Sequence, residues 1–370
     1  MKYFFISLGI VLVTSIFVLF HWFIYRTSVR FFDIQSVWLR RTLLITLVTL
    51  SLSIVLASLI SSRYFNGFSQ ALYKLIGNWS GFFAYFFIAS CLAWIIYAFT
   101  RDPSAMKWVT GILYGLAVVV GIYGMINARN LRTTEFEVAI PNLPQEWQGK
   151  TAVWVSDVHL GQVNNDKYAD EIIDRTNELQ PDIVFLGGDY FDGLAVDSFK
   201  LADKLKKINA KWGTYFITGN HEEFADDYDH NQYIEALDLS GIRILNNEKI
   251  DVHGMQLVGV DFHATNSRKD FQAEMDSIDV DKTKPAILLK HVPSALDISE
   301  KEGISLQISG HTHRGQIFPG GLLSCLVYRG YDYGFKSHGK LQVITSSGAG
   351  TFGPAMRVGT VSEIVKITFK

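Results

Sequence analysis

The segment Ala152-Val153-Trp154-Val155-Ser156-Asp157-Val158-His159 is an apolar, partly β-branched run that gives way to an Asp-x-His pair. Such a run is the size of a short buried strand, and the pair falls where that strand would end. The same construction recurs. Ile183 to Leu186 precedes Gly188-Asp189, and Ile287 to Leu289 precedes His291. Gly219-Asn220-His221-Glu222 and Gly310-His311-Thr312-His313 follow further apolar runs. An α/β sheet presents its ligands at the carboxyl ends of its strands, so these loops are expected to converge on one site.

Carboxylate oxygens, imidazole nitrogens and one amide oxygen form a donor set suited to Mn, Fe or Zn rather than to Ca or Cu(I). No thiol joins them, because Cys91 lies in an apolar stretch of the N-terminal third and Cys325 lies outside every motif. A single Asp-x-His or His-x-His pair arises often by chance. The weight rests on five motifs occurring in order, each behind a strand-like run. His21, His230, His253 and His338 lack such a context and read as structural or solvent-facing, while His263, two residues after Asp261, could imitate an Asp-x-His pair.

In this order the motifs resemble those of the calcineurin-like metallophosphoesterase superfamily, from about residue 134 to the last residue, 370. The resemblance implies a four-layer αββα sandwich and two divalent metal ions, with Mn preferred and Fe or Zn as alternatives. Carried over by position, it gives one metal to Asp157, His159 and His313 and the other to Asn220, His291 and His311, with Asp189 bridging. Paired cations about 3.5–4 Å apart can stabilise both in-line oxygens of a phosphoryl transfer and acidify a bridging water, the implied nucleophile. His221, next to Asn220, would serve the leaving-group oxygen as the catalytic acid.

The first third of the chain has a different composition, nearly devoid of carboxylates and crowded with Phe, Leu, Ile and Val. Stretches 3–25, 42–60, 82–100 and 107–127 each approach the roughly 20 helical residues that cross a bilayer core. Trp22, Tyr25, Trp79 and Trp108 near their ends fit interfacial belts. The first stretch exceeds the apolar region of a cleaved signal, about 7–15 residues, and lacks a small-x-small exit before Arg26, so it counts as a span. Between Ser61 and Gly81, apolar residues at Phe65, Phe68, Leu72, Leu75 and Ile76 alternate with polar ones. That pattern fits an amphipathic segment in the interface or an ordinary loop helix. The predicted organisation is an α-helical membrane domain of four helices over residues 1–130 and a soluble α/β domain over 131–370.

Four spans put both termini on one side of the membrane. Arg26, Arg30, Arg40, Arg41 and Arg101 favour cytoplasmic first and third loops, and hence a soluble domain facing outward, toward the periplasm or the exterior. Lys2, Arg63, Lys74, Arg129 and Arg132 pull the other way.

From about Glu135, short β-rich runs alternate with amphipathic stretches such as Asp166 to Leu179, a pattern that fits two facing sheets with helices outside. A formal charge of −2 provides no bulk basic field, so nucleic acid is not an expected partner. Protein Ser/Thr phosphatases of the superfamily carry phosphate-gripping arginines where this chain has Gly193 and Thr218, which argues against phosphoproteins. Gly310 to Ile317 and the closing Ser346-to-Ile364 pattern are instead similar to a bacterial membrane-associated branch. That branch contains phosphodiesterases and pyrophosphatases acting on phospholipids or UDP-diacylglucosamine.

Arg314 departs from the branch's usual Gly, and it and Arg357 are candidates either for binding a second phosphate or a head group or for a plain surface ion pair. The aromatic stretch from Phe318 to Phe335 reads as a loop-rich cap or acyl-chain receiver, or else as a hairpin completing a sheet. The expectation is a membrane-anchored dinuclear-metal phosphoesterase that cleaves a phosphodiester or pyrophosphate bond in a lipid-linked substrate. The alternatives are a nucleotide or small-molecule phosphodiesterase merely anchored to the membrane, and a non-catalytic metal-binding sensor or scaffold.

Overall fold

The computed structural model describes residues 2–193, 196–223 and 227–370. The chain forms two compact units. One comprises Met1–Ile126 with the short segment Gly353–Met356, and the other Asn127–Phe352 with Arg357–Lys370.

The first unit contains α1 (Lys2–Phe31), α2 (Val37–Ser61), α3 (Gly67–Thr100) and α4 (Pro103–Ala128). All four are long and apolar enough to cross a membrane. The stretch read as an interfacial segment or a loop helix is not separate. Asn66 opens α3 by accepting from Phe68 N and Ser69 N, while Ser69 Oγ closes the capping box, and the helix continues for 34 residues. At 1.5 Å per residue it is about 51 Å long, well beyond a hydrocarbon core of about 30 Å. Polar side chains tie α1 to α3. Trp79 Nε1 donates to His21 Nε2 at 3.1 Å, and Trp94 Nε1 donates to Thr27 Oγ1 at 2.9 Å. His21 is thus the structural residue that its lack of a motif suggested.

Among its described residues the second unit holds twelve strands: β1 (Leu131–Val138), β2 (Thr151–Val155), β3 (Ile183–Leu186), β4 (Thr214–Phe216), β5 (Arg243–Ile244), β6 (Glu248–Val252), β7 (Met255–Val260), β8 (Ala286–Lys290), β9 (Leu306–Ser309), β10 (Gly334–His338), β11 (Leu341–Thr345) and β12 (Ser362–Phe369). They form two six-stranded sheets, ordered β1-β12-β2-β3-β4-β5 and β10-β11-β9-β8-β7-β6. In the first, β2 to β5 run parallel, and in the second β7, β8, β9 and β11 do. Helices α5 (Asp166–Glu178), α6 (Ser198–Asp203), α7 (Asn220–Glu223), α8 (Asp227–Leu239), α9 (Arg268–Ile278), α10 (Leu296–Lys301) and α11 (Gly320–Val327) fill the connections.

Alternation along the strands builds the layers. Ala152, Trp154, Ile183 and Phe185 point inward to meet Ile287, Leu289, Leu306 and Ile308 of the other sheet. Val153, Val155, Val184 and Leu186 face the opposite way, onto Ala169, Ile172 and Ile173 of α5. Leu288 and Val258 pack on Phe271 and Met275 of α9. The unit is therefore an αββα sandwich. Each such aliphatic or aromatic side chain contributes about 1.5–3 kcal/mol by its burial. Parallel strands leave their carboxyl ends on one rim, and that is where the site lies.

Candidate metal centre

Asp157 and His159 follow β2, Asp189 follows β3, Asn220 and His221 open α7 after β4, His291 directly follows β8, and His311 and His313 follow β9. Ligand atoms of Asp157, His159 and His313 lie within 4.8 Å of one another, as do those of His159, Asp189 and His221, and those of Asp189, His291 and His311. Asp189 thus belongs to two adjoining groups. Among the described residues, Asn220 Oδ1 is buried without a hydrogen-bond partner. An orphaned amide oxygen beside such a donor set is what a bound divalent cation would satisfy, so the residues present fit the metals the fold implies.

The backbone around these residues is strained. Asp157, His159, Asp189, His311 and His313 all have φ between 46° and 68°, a region that bulky residues seldom enter. Two motif glycines permit the close approach. A Cβ on Gly219 would stand 2.2 Å from Asp189 Oδ1, and one on Gly310 would stand 2.3 Å from Asp157 Oδ2.

Three of the site's side chains are oriented from behind. Asp157 accepts from Ser156 Oγ at 2.5 Å and His311 N at 2.9 Å. His291 Nδ1 donates to Gly187 O at 2.7 Å, which turns its Nε2 toward Asp189 Oδ2 at 3.2 Å. His221 Nδ1 donates to Asp192 O at 2.8 Å, leaving its Nε2 as the nitrogen free for the site. Carbonyl partners of this kind fix the ring and its tautomer.

Burial dominates the electrostatics. It lowers the pKa of His159, His313 and His311, the last to about 3, so these rings stay neutral with lone pairs available. For His291 burial also lowers the value, but the adjacent Asp189 more than reverses this and raises it to about 9. Burial would push Asp189 up, yet His291, with His159 and His221, holds its carboxyl below the usual range.

Three contributors escaped the sequence reading. Glu222, wholly buried, accepts from Asp189 N, Tyr190 N, Phe191 N and Gly219 N at 2.7–3.1 Å, locking the bridging residue's loop to the Asn220 loop. Its place in the Gly-Asn-His-Glu motif was the available signal. Asp192, raised to about 7 by burial, sets Oδ1 3.6 Å from His159 Nδ1. The Gly-Asp-x-x-Asp spacing pointed to it. Phe352 lies against the rings of His159 and His221, at 5.7 and 4.8 Å between centroids, and no motif marks it.

Arg357 departs from its expected role as a substrate contact. It is completely buried, and Nη2 donates to the carbonyls of Ser347, Gly348 and Gly350 at 2.5–3.0 Å while standing 3.2 Å from His313 Nδ1. A guanidinium so occupied braces the last ligand loop and offers nothing to a substrate. Arg314 is exposed, stacked over Tyr333 at 4.4 Å. His263 pairs with Glu223 at 2.9 Å instead of imitating an Asp-x-His ligand, and His253 stacks on Trp212.

Comparison with known proteins agrees with this geometry. Residues 151–315 match the calcineurin-like phosphoesterase family. An uncharacterized metallophosphoesterase of Aquifex aeolicus is 31% identical over 263 residues, 69% of this chain and 98% of that one. The chain belongs to the calcineurin-like metallophosphoesterase family. It is accordingly a metal-dependent phosphoester hydrolase. A metallophosphoesterase of Campylobacter jejuni is 34% identical over 259 residues, covering 67% of this chain and 66% of its own. A transmembrane protein with metallophosphoesterase domain from Danio rerio is 29% identical over 314 residues, 77% of this chain and 70% of its own. This chain likewise has four helices long and apolar enough to cross a membrane.

Proposed function

We propose that this metallophosphoesterase hydrolyses a phosphodiester or pyrophosphate bond in a lipid-linked substrate at a dinuclear centre. Asp157, His159 and His313 would hold one ion, Asn220, His291 and His311 the other, and Asp189 would bridge them. Manganese is the preferred ion. A divalent pair bound there would supply Lewis acidity toward phosphoryl oxygens and lower the pKa of a bound water. His221, held by Asp192 O, would present Nε2 to the departing oxygen. Arg314 is the exposed cation available to a second phosphate or a head group.

The observation that carries the lipid reading is α11. On this helix Leu322, Leu323, Leu326 and Val327 are 65–76% exposed. The helix is secured at both ends to the metal loops, because Gly315 closely approaches Gly320 and the Tyr328 ring lies 6.3 Å from that of His311. Four exposed aliphatic side chains on two helical turns beside a hydrolytic centre suit acyl chains better than a water-soluble nucleotide. Tethering keeps such a substrate at high effective concentration. Orientation is part of the proposal. The ends of α1 and α3 and the starts of α2 and α4 carry Arg26, Arg30, Arg40, Arg41, Arg101 and Lys107, which favours a cytoplasmic location for those loops and an outward-facing hydrolase.

The test is hydrolysis by the purified full chain with Mn(II) on glycerophospholipids, UDP-diacylglucosamine and bis-p-nitrophenyl phosphate, with Asp189→Ala and His221→Ala as controls. Metal-dependent lipid cleavage that both variants lose is expected. Turnover of the soluble diester alone would reject the lipid substrate.

A further inference from the structure

The loop end of the four-helix unit holds an open cavity of about 730 Å3, lined by Arg26, Arg30, Asp33, Gln35, Arg40 and Lys107 among others. Four cations therefore face one carboxylate, and Asp33 already accepts a hydrogen bond from Gln35 Nε2. Among the described residues, none of the four cations is in an ion pair. Arg26 lies over the Trp22 ring at 5.7 Å, and Arg30 donates to Tyr97 OH at 3.3 Å. Arg40 donates to Ile34 O at 2.6 Å and Gln35 Oε1 at 3.4 Å, and Lys107 is exposed. Like charges gathered beside low-dielectric hydrocarbon repel more strongly than in bulk water, and a bound anion relieves that repulsion.

The position of the cavity identifies the anion. It lies where α1 ends at Phe31, α2 begins at Val37 and α4 begins at Pro103, at the end of helices long and apolar enough to cross the bilayer core. Trp22, Trp38 and Trp108 around this end are exposed, as expected of side chains at head-group depth. Basic recesses between membrane helices at that depth suit phosphate-bearing head groups. We infer that Arg26, Arg30, Arg40 and Lys107 form a binding site for the phosphate of an anionic membrane lipid. The site is separate from the metal centre and takes no part in the hydrolysis proposed above. The chemistry recognised is a phosphate monoanion or diester, and a lipid presents it at the right depth with its acyl chains along the apolar helix faces.

Native mass spectrometry of the detergent-solubilised full chain measures this directly, with dioleoyl phosphatidylglycerol, dioleoyl phosphatidylcholine and inorganic phosphate as probes. Phosphatidylglycerol is expected to bind at least about tenfold more tightly than phosphatidylcholine. Arg26→Gln/Lys107→Gln, which leaves the loop bonds of Arg40 intact, is expected to lower phosphatidylglycerol affinity roughly thirtyfold. Arg63→Gln, an exposed cation at the other end of α2, is expected to change nothing. Circular dichroism of each variant confirms that the helices are formed. Equal affinity for the two lipids, or unchanged binding by the double variant, would overturn the site. Inorganic phosphate binding as tightly as phosphatidylglycerol would overturn the lipid as its source. None of these readouts depends on hydrolysis, so failure here leaves the catalytic reading intact, and the reverse.

Discussion

The two ends of the metal centre are built to different plans. At one end Asp157, His159 and His313 are almost fully buried, with Arg357 and Asp192 behind them. Their imidazoles are held neutral by burial, so the lone pairs need no prior proton loss. At the other end His291 shares a tight pair with Asp189, while His311 is only partly covered and faces Phe262 and Tyr328 at 6.4 and 6.3 Å between ring centroids. There a proton and a cation compete for the same nitrogen. The contrast implies one strong, pre-arranged position and one whose occupancy depends on pH, with Asp189 common to both.

The most damaging change to this arrangement is Asp189→Ala. Removing the shared carboxylate should cost both ions and abolish turnover of any phosphoester, as read by metal analysis beside an assay with bis-p-nitrophenyl phosphate. Loss of only one ion would refute a bridge.

His221→Ala separates binding from chemistry. A fall in kcat of about 10²–10⁴ is expected, with metal content intact. Because His221 lies within ligand reach of His159 and Asp189, a matching fall in metal content would instead make it a ligand.

Arg357→Lys tests the bracing of the buried end. Lysine keeps the charge but loses the planar fork that spans several carbonyls, so affinity at the His313 position should drop roughly 10–100-fold while the other position is unaffected. Calorimetric titration of the metal-free chain would resolve the two steps.

The smallest effect is the pH response of the Asp189–His291 end. The raised His291 pKa, about 9, means that the metal-free chain holds a proton there that a cation must displace. Affinity at this end should therefore rise with pH, by up to about tenfold per unit, and level off near that value. The histidines of the buried end should add no such slope, since they are already neutral. Parallel slopes at both ends would remove the distinction.

What was legible in the sequence follows from how strongly each feature restricts residue choice. Metal ligands must be particular residue types at the ends of particular strands, so Asp157, His159, Asp189, Asn220, His291, His311 and His313 could be nominated one by one, and the structure gathers the carboxylates and imidazoles among them into adjoining groups, with Asn220 on the loop after β4. The central strands were equally visible because they are buried on both faces. The edge strands of the second sheet were not. β6, Glu248-Lys249-Ile250-Asp251-Val252, and β10, Gly334-Phe335-Lys336-Ser337-His338, carry the polar residues that protect a sheet edge, and so they resemble loops.

Glycines lie within helices in two places. Gly77 and Gly81 are accommodated within α3, and Gly320-Gly321 start α11, a helix only eight residues long. Arg357 was misjudged because a charged residue is exposed by default, and a buried network of backbone carbonyls leaves no trace in composition.

The most direct test of two unlike positions sharing one carboxylate is anomalous scattering from crystals of the full chain grown with Mn(II). The account predicts two peaks about 3.5–4 Å apart. One should contact Asp157, His159 and His313, the other Asn220, His291 and His311, with Asp189 touching both. A single peak, or two peaks with Asp189 bound to only one, would contradict it.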